Sequence, residues 1–338
     1  PIAVLNRGDI KQPLATVGPG ALAAVGTLPA EFVLTNAQDE AARRAALARW
    51  ITAPENMLTW RSIVNRVWHW HFGRGLVDTP NDFGRMGSLP THPELLDWLA
   101  VEFRDSGGSL KQLHRLILTS ATYQQASVAG DMNRRTGSAS QFRLLASAAT
   151  TDSDNRFLGR MNRPRLDAEA FRDALLAASG KLDLAMGGPS AMQFKFDDPN
   201  KNVSPRVDYG GFDPDSPASY RRSVYRFLFR NLNDPLLEAL DAVDPSLSTP
   251  KRNSTITPLQ ALSLWNSRFV LRQCEHLATR VAGEATGLEA QVTRAFRLLC
   301  ARAPSRDEAA LLTEHARRHG LAHACRVVVN LNEFLFVN

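Results

Sequence analysis

A helix-start signal recurs five times along this 338-residue chain. It consists of Ser or Thr followed three residues later by Glu or Gln. Each side chain of such a pair satisfies the other residue's free backbone N–H. The signal stands at Thr35/Gln38, Thr91/Glu94, Ser109/Gln112, Thr257/Gln260 and Ser305/Glu308. The first opens an Ala-rich stretch to Ile51, and the second carries Leu95, Leu96, Trp98, Leu99 and Phe103 at helical spacing. Leu113, Leu116 and Ile117 follow the third, and Leu311 and Leu312 the fifth. The fourth has Pro258 at the first helical position, where its missing N–H costs nothing. Chain ruled by such signals folds as a mainly α, multi-helix globular domain.

Two further helices fit the pattern. One lies between Glu55 and Gly73, with Leu58, Ile63, Val64, Val67, Trp68 and Phe72 in period. The other runs from Asp167 to Ser179 and stops at Gly180, a left-handed cap. Residues 1–39 read as an extended connector from an upstream domain, and 40–338 as the helical domain. Within it, 128–150 is rich in Gly, Ser and Asn and reads as loop. Residues 186–222 hold Gly187, Gly188, Pro189, Pro214 and Pro217 and read as a long irregular insertion. One or two short β-strands complete the fold. Ser223 to Arg230 is the clearest, with Tyr225, Phe227 and Phe229 on one face.

Composition narrows the function classes. Hydrophobic residues make up 44% and charged residues 22%, as in an ordinary globular protein. No apolar run approaches the roughly 20 residues that a membrane helix needs. Six of the 40 Lys and Arg residues are lysine, leaving 34 arginines, and the net charge is +6. Such a balance suits nucleic acid, an acidic polysaccharide or an anionic surface. Arginine also pairs readily with buried carboxylates, and that use is favoured over nucleic-acid binding. Cys274, Cys300 and Cys325 lie far apart in apolar helical surroundings and read as small core residues.

Several residues have the chemistry of a site. His69 and His71 lie two apart, so on a helix they point in opposed directions and cannot share one ion. No metal is expected, and the weak candidates for one are His69, His71, Asp82 and His92. Glu169 and Asp173 stand four apart beside Arg165 and Arg172. They read either as an acid/base pair or as part of an Arg–carboxylate network locking two helices together. The network is favoured, because arginine is plentiful enough to neutralise both acids. No nucleophile elbow, H-E-x-x-H motif, phosphate loop or dinucleotide fingerprint is present.

Longer phrases carry a resemblance. They are Arg61-Ser62-Ile63-Val64-Asn65-Arg66-Val67-Trp68, His71-Phe72-Gly73-Arg74-Gly75-Leu76-Val77 and His92-Pro93-Glu94-Leu95-Leu96-Asp97-Trp98. Arg165-Leu166-Asp167-Ala168-Glu169, Arg222-Ser223-Val224-Tyr225 and Asn332-Glu333-Phe334-Leu335 extend the match. Over about residues 40–338 the chain resembles the DUF1553 family, also called the planctomycete PSD1 domain. It departs from the family at Met57, where Pro is usual, and at Gly108, where Trp is usual. The resemblance implies an exported, extracytoplasmic multidomain parent, with upstream DUF1549 and cytochrome-c-like modules as partners and no cofactor in this domain. The function it suggests is a non-catalytic binding or scaffolding module. The alternatives are a hydrolase on acidic polysaccharide, and nucleic-acid binding through the basic surface. The hydrolase would use Glu169 or Asp173 with His71 or His92 as catalytic residues. Asn65, Arg66, Arg165, Arg172 and Arg222 are the ligand-binding candidates.

Overall fold

The structure is a computed structural model that describes residues 2–125, 152–196, 207–230 and 232–337. The loop expected over 128–150 lies outside the described residues. Mainly α is what the chain forms: 13 helices stand among the described residues, beside two short two-stranded sheets. The chain divides into two compact units, Pro1–Asn162 and Arg163–Asn338.

In the first unit, β1 (Ile2–Leu5) pairs antiparallel with β2 (Pro13–Val17) in the segment expected to be an extended connector. Among the described residues four helices follow: α1 (Glu40–Ile51), α2 (Met57–Phe72), α3 (Pro93–Asp105) and α4 (Leu110–Leu118). The core comes from Val64, Val67, Trp68 and Phe72 of α2, Leu96, Leu99 and Phe103 of α3, and Leu113 and Ile117 of α4. Asn56 caps α2 even though Met57 stands at the first position. Gly73 ends it in the left-handed conformation. Gly108 has φ +73°, a conformation that strains any residue with a side chain.

The second unit contains α5 (Ala168–Ser179), the short α6 (Pro217–Tyr220) and α7 (Pro235–Ala239), and α8 (Pro258–Asn266). Then come α9 (Arg268–Glu284), α10 (Leu288–Cys300), α11 (Arg306–His319), α12 (Leu321–Val329) and α13 (Asn332–Leu335). Val270, Cys274, Leu277 and Val281 form one buried stripe of α9, spaced at four, three and four. They pack with Phe171 and Leu175 of α5, Phe296 of α10 and Val328 of α12. Cys274 and Cys325 are buried core residues and Cys300 is half-buried. Burial pushes all three thiols up, Cys300 and Cys325 to about 12. The chain end returns to the unit's start, where Leu166 N–H donates to the Leu335 carbonyl at 2.8 Å.

Three expectations need correction. The first helix begins at Glu40, not at Thr35. The Asp39 carboxylate accepts from the N–H groups of Ala41 and Ala42, and a charged cap outcompetes a hydroxyl at the positive helix end. Asn36 has already taken the Gln38 N–H. Helix α3 lacks the box expected at Thr91/Glu94: His92 precedes Pro93 and gives no side-chain cap, while Thr91 Oγ1 faces His92 Nδ1 at 3.0 Å. Ser223–Arg230 is not a strand. Ser223–Tyr225 forms a 3-10 turn, and Arg226 makes only an isolated bridge to Ala191. At its entry the segment is held by side chains of α5, and further on the Tyr225 carbonyl and the Phe227 N–H both pair with Ala191. Asp173 accepts the Ser223 N–H at 2.9 and 3.0 Å, and Arg172 donates to the Arg221 carbonyl at 3.0 Å. The expected insertion over 186–222 is described at 186–196 and 207–222. It holds only α6 and two-residue strands, β3 (Lys195–Phe196) and β4 (Val207–Asp208).

Candidate ligand-binding site

The singled-out residues fall in both units. Asn65, Arg66, His69, His71, Asp82 and His92 belong to the first; Arg165, Glu169, Arg172, Asp173 and Arg222 belong to the second. Asn65 is fully buried on α2 and spends both amide atoms on Val77, donating to its carbonyl at 2.9 Å and accepting its N–H at 2.8 Å. Arg66 donates to the Asn81 side chain. Asp82 accepts the Gly84 N–H at 2.8 Å, closing a turn. His71 faces not His69 but His114 of α4, with ring nitrogens 2.7 Å apart and Tyr123 edge-on. Burial, then the neighbouring His114, pulls the His71 pKa down. His92 touches Phe157 edge-on at 5.8 Å. Among the described residues, no three His, Cys, Asp or Glu side chains are placed to hold a metal ion.

In the second unit the charges are tied to one another. Arg165 donates to Asp241 at 2.7 Å and to the carbonyls of Leu240 and Thr255. Glu169 accepts two hydrogen bonds from Arg252, at 2.6 and 3.1 Å. Burial pushes the Glu169 carboxyl upward, but the Arg252 hydrogen bonds and charge outweigh it, so its pKa lies below the ordinary value. A general acid at neutral pH needs the opposite shift. Asp173 is committed to the Ser223 N–H and hydroxyl and to Arg172. Arg222 lies over the Tyr225 ring at 5.3 Å.

Beside this network opens a cleft of about 370 Å³. Its deep end is formed by Arg172, Gln193 and Ser219, all buried. Arg172 reaches it from the middle of α5, held by the Ser219 carbonyl and stacked over Phe269 at 5.1 Å. Burial, then the charge of Arg226, brings its pKa down to about 10, which leaves it charged at neutral pH. One wall is the start of α7, where Asp234 caps the helix through the N–H groups of Leu236 and Leu237. Asp234 also accepts from Arg226 at 2.6 Å, and Arg226 donates to Gln193 at 2.6 Å. Gln193 in turn donates to the Ala218 carbonyl at 2.6 Å, so one hydrogen-bonded chain joins three segments around the cleft. The other wall is the junction of α8 and α9, with Asn266, Ser267, Arg268 and Phe269. Arg268 bridges the mouth to the Gly210 carbonyl. A small recess next to the cleft shares Tyr209, Asp234 and Leu237 with it and is lined by Arg226. Among the described residues the buried Arg226 Nη1 has no hydrogen-bond partner.

Sequence reasoning found Arg172 through its charged phrase but missed Arg226, Asp234, Gln193 and Arg268. Arg226 falls within the expected strand Ser223–Arg230, and no other signal marks it. Asp234-Pro235 is a visible helix start, and the link between the two residues depends on tertiary structure. The family model described as Protein of unknown function (DUF1553), PSD1, matches residues 43–316. No curated protein and no solved structure matches the chain.

Proposed function

The chain belongs to the DUF1553 (PSD1) family, and on that footing we propose that it is a non-catalytic binding module whose ligand enters the cleft of the second unit. The observation that carries this reading is the cleft itself, preformed and walled by residues that brace one another. Sites of this kind are concave, mostly apolar and furnished with a few fixed polar groups. The carboxylates that a hydrolase would use, Glu169 and Asp173, are engaged in ion pairs, which supports binding over acid/base chemistry. Many arginines are likewise spent on carboxylates within the fold, at 165, 226, 252, 272 and 302 among others, which supports a structural use of the basic residues over nucleic-acid binding. No helix among the described residues is long and apolar enough to cross a membrane.

The test is a thermal-shift screen of the protein against sugars, sugar acids, amino acids and nucleotides. A ligand at 100 times its Kd stabilises a protein by about 2.7 kcal/mol. At least one class should raise the melting temperature and be recovered unchanged by mass spectrometry. A hit that is converted to product would overturn the non-catalytic reading. In the parent protein the module stands with exported DUF1549 and cytochrome-c-like modules. Cell fractionation that finds the parent in the cytoplasm would refute that setting.

A further inference from the structure

We infer that the cleft is built for an acidic monosaccharide unit, a hexuronate-type ligand whose carboxylate meets Arg268 and the start of α9. This rests on the binding-module reading and names its ligand class. Charge comes first. The one carboxylate lining the cleft among the described residues, Asp234, has both oxygens occupied, by the α7 N–H groups and by Arg226. Arg268 is exposed at the mouth, donates to a neutral carbonyl and has no carboxylate partner among the described residues. Arg172 at the deep end is paired with Asp173, so the positive charge left for a ligand among the described residues is that of Arg268 at the mouth. Arg268 and Phe269 are also the first two residues of the 17-residue α9; the Ser267 hydroxyl caps the Val270 N–H, so the N–H groups a ligand would meet there are those of Arg268 and Phe269. A planar carboxylate matches a guanidinium fork and paired N–H donors better than a spherical ion does.

The rest of the lining suits a polyhydroxylated ring. Tyr209, Phe269 and Pro235 offer flat apolar faces. Gln193 and Asn266 offer amides and Ser263 a hydroxyl, at positions fixed by buried or helical backbone. A 370 Å³ space accommodates one or two sugar rings.

The experiment is isothermal titration of the full chain with glucuronate, glucose, glucose 6-sulfate and benzoate at low ionic strength, with Arg268→Ala and Arg297→Ala variants. Arg297 is exposed on α10 and does not line the cleft, so it controls for general charge. Saturable glucuronate binding at least tenfold tighter than glucose, weakened at least tenfold by Arg268→Ala and unchanged by Arg297→Ala, is the expected result. Equal losses in the two variants, or equal affinity for glucose, overturn the carboxylate contact. Tighter binding of glucose 6-sulfate or benzoate overturns the hexuronate assignment. Absence of glucuronate binding overturns the inference as well. A neutral ligand found by thermal shift would then leave the binding-module reading standing.

Discussion

Asn65 is fully buried, and both atoms of its amide engage the backbone of Val77, twelve residues on. The side chain takes the place of a neighbouring strand for a stretch of chain that has none. Gly75 lies inside this clasp, where a Cβ would sit 2.5 Å from the Val77 carbonyl oxygen and 2.8 Å from Asn65 Oδ1. Asn65→Ala would leave a buried N–H and a buried carbonyl unpaired, at about 1–3 kcal/mol each. Urea unfolding of Asn65→Ala should therefore show a loss of about 2–6 kcal/mol. A loss under about 1 kcal/mol would mean that water replaces the amide. The sequence marks Asn65 as important through its phrase, but as a ligand contact. A polar residue among apolar ones looks the same whether it faces a ligand or a buried backbone turn. Residue spacing cannot tell the two apart, because Val77 is reached only through the turn at Gly73.

Helix starts were the most legible elements, and their caps show where that legibility stops. Both halves of the box form at Thr257/Gln260 and Ser305/Glu308, one half forms at Ser109, and none at Thr35. Local sequence proposes the cap, and the nearest stronger acceptor decides. Ser305→Ala should lower stability by about 1 kcal/mol, whereas Thr35→Ala should stay within about 0.5 kcal/mol of the parent, as surface changes do; thermal melts of the two variants check this. A second element-level device escaped notice although its spacing is plain: His315, His319 and His323 recur every four residues. Gly320 separates α11 from α12, yet the three rings still gather, with centroids 4.7–5.5 Å apart. The ring nitrogens of His315 and His323 lie 2.7 Å apart, an arrangement with room for one proton between them. Arg326 on α12 and Trp265 on α8 face the cluster, and Glu314, Arg317 and Arg318 share its helix. Burial first, then His315, Arg326 and His319, lowers the His323 pKa. An unfolded histidine takes up its proton near pH 6.5, and the folded one only at lower pH. The stabilisation is therefore complete above about pH 6.5 and is lost as pH falls below it. Urea midpoints should drop between pH 7.5 and 5.5, and His323→Gln should reduce that drop. An undiminished drop would place the effect elsewhere, for instance at His71.

At the scale of the whole molecule, helix content and the apolar stripes followed from the sequence, while the division of the chain did not. Composition changes visibly at residue 40 and again over 186–222, so those are the boundaries a reader of the sequence would draw. The chain parts between Asn162 and Arg163, where no change in composition marks it. What separates the units is which side chains share a core, a property of long-range contacts. The error at 223–230 has the same origin: alternation alone favours a strand, whereas the segment is held by distant groups, Arg172 and Asp173 at its entry and Ala191 further on. Separate cores have a measurable consequence, because tryptophan is unevenly shared. Trp50, Trp60, Trp68, Trp70 and Trp98 lie in the first unit and only Trp265 in the second, beneath the Arg326 guanidinium at 3.9 Å. Intrinsic fluorescence therefore reports mainly on the first unit, whereas far-ultraviolet ellipticity reports on helices of both. In the Asn65→Ala variant the fluorescence transition should move to lower urea. The ellipticity should then resolve into two steps, one following the fluorescence and one staying at the parent midpoint. Coincident transitions, shifted together, would show that the two cores unfold as a single cooperative unit.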